Sequence, residues 1–160
     1  MSNLRVGQGF DSHRFDSSRE LFIGGYKIPD AKGLLGHSDA DVLLHSIIDA
    51  LLGALSLGDI GTLFPDTDEK YKNIDSKVLL AETLKLISSK QYKLVNVDNT
   101  LIAETPKFKP HILEIRQVLS SLLNIELDEV SVKATTAEKM GAIGREEGIA
   151  CMSIVLLTKI

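Results

Sequence analysis

Ile149-Ala150-Cys151-Met152-Ser153-Ile154-Val155-Leu156-Leu157 is broken only by Ser153. A short, nearly continuous apolar run of this kind predicts a final strand buried on both faces. Working back from it, Val130–Thr135 is a further strand. Leu94–Ala103 is another, with Val95 and Val97 on one face and Asn96 and Asp98 on the other. Pro110 suits the first turn of a helix ending near Leu123, and a second helix runs from Asp75 or Ser76 to Ser89. Upstream, Ser38 opens a helix through a Ser38-x-x-Asp41 capping box, and Gly58 ends it. Leu43, Leu44, Ile47, Leu51, Ala54 and Leu55 form its apolar face. Asp41, His45 and Asp49 form a separate polar stripe at i, i+4, i+8. Leu21–Ile28 carries Gly24-Gly25 between apolar pairs, a two-residue hairpin signal. Gly33–Gly36 is a loop, and Leu4–Phe10 is a short strand entering an Asp11–His13 loop. Strands alternating with helices predict a two-layer α/β arrangement.

The chain has 160 residues, 44% hydrophobic and 25% charged, which suits one globular domain over 1–160. A net charge of −4 argues against broad attraction to nucleic acid or an anionic membrane surface. Cys151 is the only cysteine, so no internal disulfide is expected and a reducing compartment fits. No apolar stretch is long enough to cross a bilayer, and Met1–Phe10 does not look like a secretory signal. The expected location is the cytoplasm of a bacterium or, after processing, a plastid-type organelle.

Asp11-Ser12-His13 holds the strongest chemical signal. On extended backbone the Asp11 and His13 side chains point to the same side. His45, from a helix, would complete three ligands and leave a fourth position open, the pattern of catalytic zinc. The alternative is that these are solvated or capping side chains. A thiolate-rich structural site is excluded by the single Cys.

Four further segments carry polar groups. Gly36-His37-Ser38-Asp39-Ala40-Asp41 leads into a helix N-terminus, a ready anion site to which His37 and Ser38 add donors. Asp59-Ile60-Gly61 and Phe64-Pro65-Asp66-Thr67-Asp68 place carboxylates in an irregular loop, either as turn formers or as partners for hydroxyls and cations. Ala103-Glu104-Thr105-Pro106-Lys107-Phe108-Lys109 follows a strand end, where α/β folds bind ligands. Thr135-Thr136-Ala137-Glu138-Lys139 could hold a phosphate and its cation, or form a second capping box. In Gly141–Gly148, Arg145 could bind an anion or pair with Glu147.

In this order, these segments resemble the 2-C-methyl-D-erythritol 2,4-cyclodiphosphate synthases of the non-mevalonate isoprenoid pathway. The resemblance rests on Gly9-Phe10-Asp11-Ser12-His13, Gly33–Asp41, Leu52-Gly53-Ala54, Leu57–Gly61, Phe64–Asp68, Pro106-Lys107, Lys133-Ala134-Thr135-Thr136 and Gly144-Arg145. It spans the chain, which departs from the family's pattern at Ala137, Ala142 and Glu146. The resemblance implies a metal-assisted phosphorus–oxygen lyase. The substrate's 2-phosphate attacks the β-phosphorus of its cytidine diphosphate arm, CMP leaves, and a cyclic diphosphate forms.

The resemblance also implies site residues. Asp11, His13 and His45 would bind one zinc per subunit. Glu138 would hold magnesium or manganese with the substrate diphosphate. His37 and Thr136 would be catalytic, with His37 and Ser38 orienting the attacking phosphate. Asp59, with Ile60, Gly61, Phe64, Pro65, Asp66, Thr67 and Asp68, would receive the erythritol portion. Ala103, Glu104, Thr105, Pro106, Lys107, Phe108 and Lys109 would frame cytidine. Thr135, Thr136, Ala137, Glu138, Ala142 and Arg145 would complete the substrate site. The implied architecture is a two-layer βα sandwich with a mixed sheet and helices on one face. The implied assembly is a homotrimer with sites between subunits, whose central cavity can hold an isoprenoid diphosphate near Phe10, Arg145 and Glu147. A metal-dependent phosphohydrolase and a non-catalytic trimeric nucleotide-binding module are the rival readings.

Overall fold

The apolar run lies inside β7 (Gly148–Lys159), the central strand of a five-stranded mixed sheet. This computed structural model describes residues 3–160. The strand order is β4 (Gly33–Leu34), β1 (Leu4–Asp16), β7, β5 (Tyr92–Ile102), β6 (Val130–Thr135). β1 runs antiparallel to β7, pairing Asp11 with Cys151 and His13 with Ile149. β7 runs antiparallel to β5, and β6 lies parallel to β5. β2 (Leu21–Ile23) and β3 (Tyr26–Ile28) form the hairpin expected at Gly24-Gly25, where both glycines have positive φ as a type I′ turn requires.

The helices α1 (Val42–Ala54), α3 (Ser76–Ser89) and α4 (Ile112–Leu123) form the second layer, against β1 and β7, β5, and β6 respectively. Asp75 caps α3 by accepting the Lys77 N–H at 2.8 Å, so that helix starts where the sequence placed it. α4 follows a 3₁₀ turn at Lys109–His111 that contains Pro110. α2 (Ile60–Leu63) and α5 (Gly141–Gly144) are single turns in loops.

β1 and α1 touch backbone to backbone. A Cβ on Gly9 would stand 1.9 Å from the Ser46 carbonyl oxygen, and one on Gly7 would stand 1.9 Å from that of Ala50. Leu43, Leu44, Ile47, Ile48, Leu51 and Leu52 of α1 are fully buried. The Asp41–His45–Asp49 stripe is therefore not a solvated edge: Asp41 and His45 are buried.

The structure corrects several sequence expectations. β7 is not buried on both faces, because Met152 is 41% and Ile154 48% exposed. Its alternate residues Cys151, Ser153, Val155 and Leu157 face the helices, while the described residues leave Met152 and Ile154 on the other side exposed. α1 starts at Val42, four residues after Ser38. Asp41 is its cap, accepting the Leu44 N–H at 3.0 Å. The same carboxylate accepts the N–H groups of Gly24 and Gly25 at 2.9 and 2.7 Å, which fastens the hairpin turn to the helix. Burial pushes the Asp41 carboxyl up, and nearby Asp39 adds to this against those three donors. At the N-terminus of α1 the Leu44 N–H is thus taken by the chain's own Asp41 carboxylate. α1 ends at Ala54, ahead of Gly58.

Asp11–His13 is no loop, since β1 continues to Asp16. Gly33–Leu34 pairs with Phe15 and Asp16 as a short strand. A bulge between Leu94 and Asn96 shifts the phase of β5, so Leu94 and Val97 are buried while Val95 is half-buried. No helix begins at Thr135 or Thr136, the next turn being capped by Met140, so no capping box forms there. Instead the Thr136 hydroxyl donates to the Glu138 carboxylate at 2.9 Å.

Candidate metal centre and cleft

Asp11 and His13 project from the helix side of β1 because they are two residues apart on extended backbone. His45 comes down onto them from α1, one turn after its cap. The three ligand atoms lie within 4.8 Å of one another. His13 Nε2 is 2.8 Å from Asp11 Oδ2, His45 Nδ1 is 3.0 Å from the same oxygen, and the two ring nitrogens are 3.1 Å apart. The rings meet edge to face with centroids 5.2 Å apart.

The other nitrogens fix where the lone pairs point. His13 Nδ1 lies 2.8 Å from the Leu35 carbonyl oxygen, which can only accept. His13 therefore carries its proton on Nδ1 and turns the Nε2 lone pair inward. His45 Nε2 faces away from the cluster, 3.1 Å from Ser38 Oγ and 2.8 Å from Ser76 Oγ. A carboxylate oxygen and two imidazole nitrogens thus converge on one point. This donor set suits a borderline divalent cation with a position left open.

Burial opposes charge on Asp11 most strongly, but hydrogen bonds to His13 and His45 and the charge on those rings outweigh it, holding the carboxyl far below its usual range. Burial likewise opposes charge on His13, yet the Asp11 carboxylate raises its pKa above the ordinary value.

The cluster sits in the wall of a cleft of about 350 Å³. Of the residues expected at the site, Asp11, His13, His37, Ser38, His45, Ile60, Gly61, Phe64 and Asp66 line it. His37 Nε2 is buried there with no hydrogen-bond partner among the described residues. Tyr71, Ile74 and Leu79 also line the cleft and were not expected from the sequence. They arrive by tertiary packing, with no local motif to mark them. Asp59, Pro65, Thr67 and Asp68 do not line the cleft. Asp59 caps α2, accepting the Thr62 N–H and hydroxyl at 2.8 and 2.7 Å, and Asp68 caps the turn at Glu69–Tyr71. Asp49 accepts the Ile60 N–H at 2.7 Å and so ties the start of α2 to α1.

The remaining expected residues gather elsewhere. Ala103 and Thr135 follow one another across the parallel β5–β6 pair, with the Ala103 N–H donating to the Thr135 carbonyl at 3.0 Å. Glu104 Oε1 accepts the N–H groups of Ala137 and Lys139 at 3.1 and 3.0 Å, joining the two strand-end loops. No residue of Ala103–Lys109 or Thr135–Glu138 lines the metal cleft. Ala142 faces a smaller pocket of about 210 Å³ shared with Ser12 and His13. Arg145 takes the pairing alternative, its Nε lying 2.8 Å from Glu147 Oε1.

Fold and cleft define a two-layer α/β protein whose central sheet and buried helix jointly present a three-donor cation site. The YgbB family pattern matches residues 4–158. Similar curated proteins include the 2-C-methyl-D-erythritol 2,4-cyclodiphosphate synthases of Phocaeicola vulgatus, 58% identical, and Haemophilus ducreyi, 53% identical, each alignment covering 98% of both chains. Among solved structures, the bifunctional IspDF of Campylobacter jejuni superposes with a TM-score of 0.94 at 42% identity. That match covers 98% of this chain and 42% of the longer bifunctional one. The CDP complex of Plasmodium falciparum IspF gives 0.86 at 39% identity, covering 99% and 98%. The chain belongs to the YgbB family, the family of these cyclodiphosphate synthases.

Proposed function

We propose that this chain converts 4-diphosphocytidyl-2-C-methyl-D-erythritol 2-phosphate to 2-C-methyl-D-erythritol 2,4-cyclodiphosphate and CMP, acting as a phosphorus–oxygen lyase of the non-mevalonate isoprenoid pathway. The observation that carries the reading is the convergence of one ligand atom each from Asp11, His13 and His45 in a cleft with an orphaned imidazole nitrogen. Full-length identity of 53 to 58% to named synthases supports it.

The 2-phosphate oxygen attacks the β-phosphorus, the bond from that phosphorus to the CMP oxygen breaks, and CMP departs with the electron pair. The nucleophile is already ionised near neutral pH, so no side chain has to remove a proton. His37 Nε2 and Ser38 orient the 2-phosphate, while Ile60, Gly61, Phe64 and Asp66 enclose the erythritol and keep water from competing. Asp59 binds the hydroxyls. Asp11, His13 and His45 would hold a zinc ion and Glu138 a magnesium or manganese ion, which would supply Lewis acidity and neutralise phosphate charge. Thr136 and Lys107 hold phosphate oxygens, and the Ala103–Lys109 loop frames cytosine.

Within one chain, the metal cleft and the strand-end loops are separate. A homotrimer that sets one subunit's loops against the next subunit's cleft would join them. The apolar sheet face that bears Leu4, Val6, Phe10, Met152 and Ile154 supports that assembly. Phe10, Arg145 and Glu147 would line a central cavity able to take an isoprenoid diphosphate. The chain is read as one domain over 1–160. No helix among the described residues is long and apolar enough to cross a membrane, and a cytoplasmic place suits the pathway.

Phosphorus NMR of the protein with substrate, zinc and magnesium tests the reaction. Equal appearance of CMP and a cyclic diphosphate is expected, lost on chelation and in His45→Ala. Linear hydrolysis products would make the chain a phosphohydrolase. Cytidine binding with no turnover would make it a binding module.

A further inference from the structure

Ser76, the first residue of α3, is fully buried, and its Oγ lies 2.8 Å from His45 Nε2. The Ser76 hydroxyl donates to Asp39 Oδ1. The Ser76 N–H donates to Asp39 Oδ2 at 3.0 Å. A carboxylate only accepts, and a serine hydroxyl has one proton to give. With that proton committed to Asp39, the Ser76 oxygen acts as an acceptor toward His45, so His45 Nε2 carries the hydrogen. Ser38 Oγ, 3.1 Å from the same nitrogen, already accepts the Ala40 N–H at 3.2 Å. A neutral imidazole bears a single ring proton, so His45 Nδ1 must present a lone pair to Asp11 and His13.

We propose that Asp39 and Ser76 are positioning residues of the metal site: they lock His45 in the Nε2–H tautomer and set its affinity for a divalent cation. The inference rests on the metal reading above. The carboxylate pulls on the Ser76 proton, the serine oxygen pulls on the His45 Nε2 proton, and His45 Nδ1 becomes a better donor. Asp39 reaches Ser76 across 37 residues, and its Oδ1 also accepts the Asp41 N–H at 3.1 Å. The segment that begins α1 and the residue that begins α3 thereby grip the same ring.

The test titrates zinc into the full-length parent, Ser76→Ala and Ser76→Thr in competition with a chromogenic chelator, with nitrogen-15 NMR of the imidazoles. The parent is expected to show His45 protonated on Nε2. Ser76→Ala should bind zinc about 10- to 100-fold more weakly, the usual effect of losing such a supporting contact. Ser76→Thr, which keeps the hydroxyl, should recover most of the loss. Equal zinc affinity in parent and Ser76→Ala, or a parent His45 with its proton on Nδ1, would overturn the inference. The NMR on the parent decides alone where Ser76→Ala fails to fold. A parent that binds no zinc overturns the metal reading itself, and this inference with it.

Discussion

At the residue scale, one Asp11 carboxylate oxygen and a ring nitrogen each of His13 and His45 stand 2.8 to 3.1 Å from one another, so protons on the rings decide how well the three tolerate that closeness. The Asp11 carboxyl is held below its ordinary 3.8 and the His13 ring above its ordinary 6.5. In the metal-free chain, the His13 contribution to stability is full below 6.5 and is lost as pH climbs through its raised pKa. The Asp11 contribution is full above 3.8 and is lost as pH falls through its lowered pKa. A cation instead needs His13 deprotonated, so its affinity should rise with pH by up to about tenfold per unit until the ring is neutral. The gap between urea midpoints with and without zinc should therefore widen from about pH 6 to about pH 8. A gap independent of pH would count against this ligand set.

Cys151 makes a second expectation at this scale. Burial pushes its thiol up to about 12, and the Asp41 and Asp11 charges add to this against the Ser46 and Ser153 hydroxyls. Iodoacetamide at neutral pH should leave it unmodified until denaturant is added. Rapid labelling of the folded chain would mean the β7–α1 junction opens readily.

At the scale of elements, Gly9→Ala should destabilise the chain by about 3 kcal/mol in urea unfolding, because a methyl there meets the backbone of α1 and not a movable side chain. Unchanged stability would mean that β1 and α1 can separate freely. Elements with strong local signals were legible in the sequence. The Gly24-Gly25 hairpin, the Asp75 start of α3 and the Pro110 entry to α4 all depend on residues next to them. The start of α1 was not. Ser38-x-x-Asp41 and Asp41-x-x-Leu44 offer similar caps, and the hairpin's two N–H groups settle the choice from sixteen and seventeen residues away. β1 looked shorter than it is, since Asp11, His13 and Arg14 suggest a loop unless their ladder with β7 is known.

At the scale of the molecule, the sheet has one face under helices and one bearing exposed Val6, Phe10, Met152 and Ile154. Apolar patches of this kind mark interfaces. Ile154→Asp should shift the particle toward monomers in light scattering while far-ultraviolet circular dichroism stays native. It should also abolish turnover if the strand-end loops serve a neighbour's cleft. A trimer that survives the charge would place the interface elsewhere. The apolar run of β7 was legible in the sequence as a strand, but its expected burial on both faces was not met, because the face that bears Met152 and Ile154 is exposed in the single chain. The gathering of Asp11, His13 and His45 was legible from ligand chemistry, as strand spacing already aligned two of the three. The support of His45 by Asp39 and Ser76 was not, since it joins residues far apart in the chain.

The bare contact between β1 and α1 also bears on which ion the chain can hold. Two candidate ligands ride on the strand and one on the helix, so the thickness of that junction would be the jaw width of a gauge. Zinc–nitrogen bonds are about 2.0–2.1 Å, and calcium–oxygen bonds about 2.3–2.6 Å with six or more partners. With glycine at 7 and 9 the jaws close on backbone and cannot close further, while the packed leucines and isoleucines of α1 keep them from opening. Ion preference at such a site would then depend partly on residues that never touch an ion.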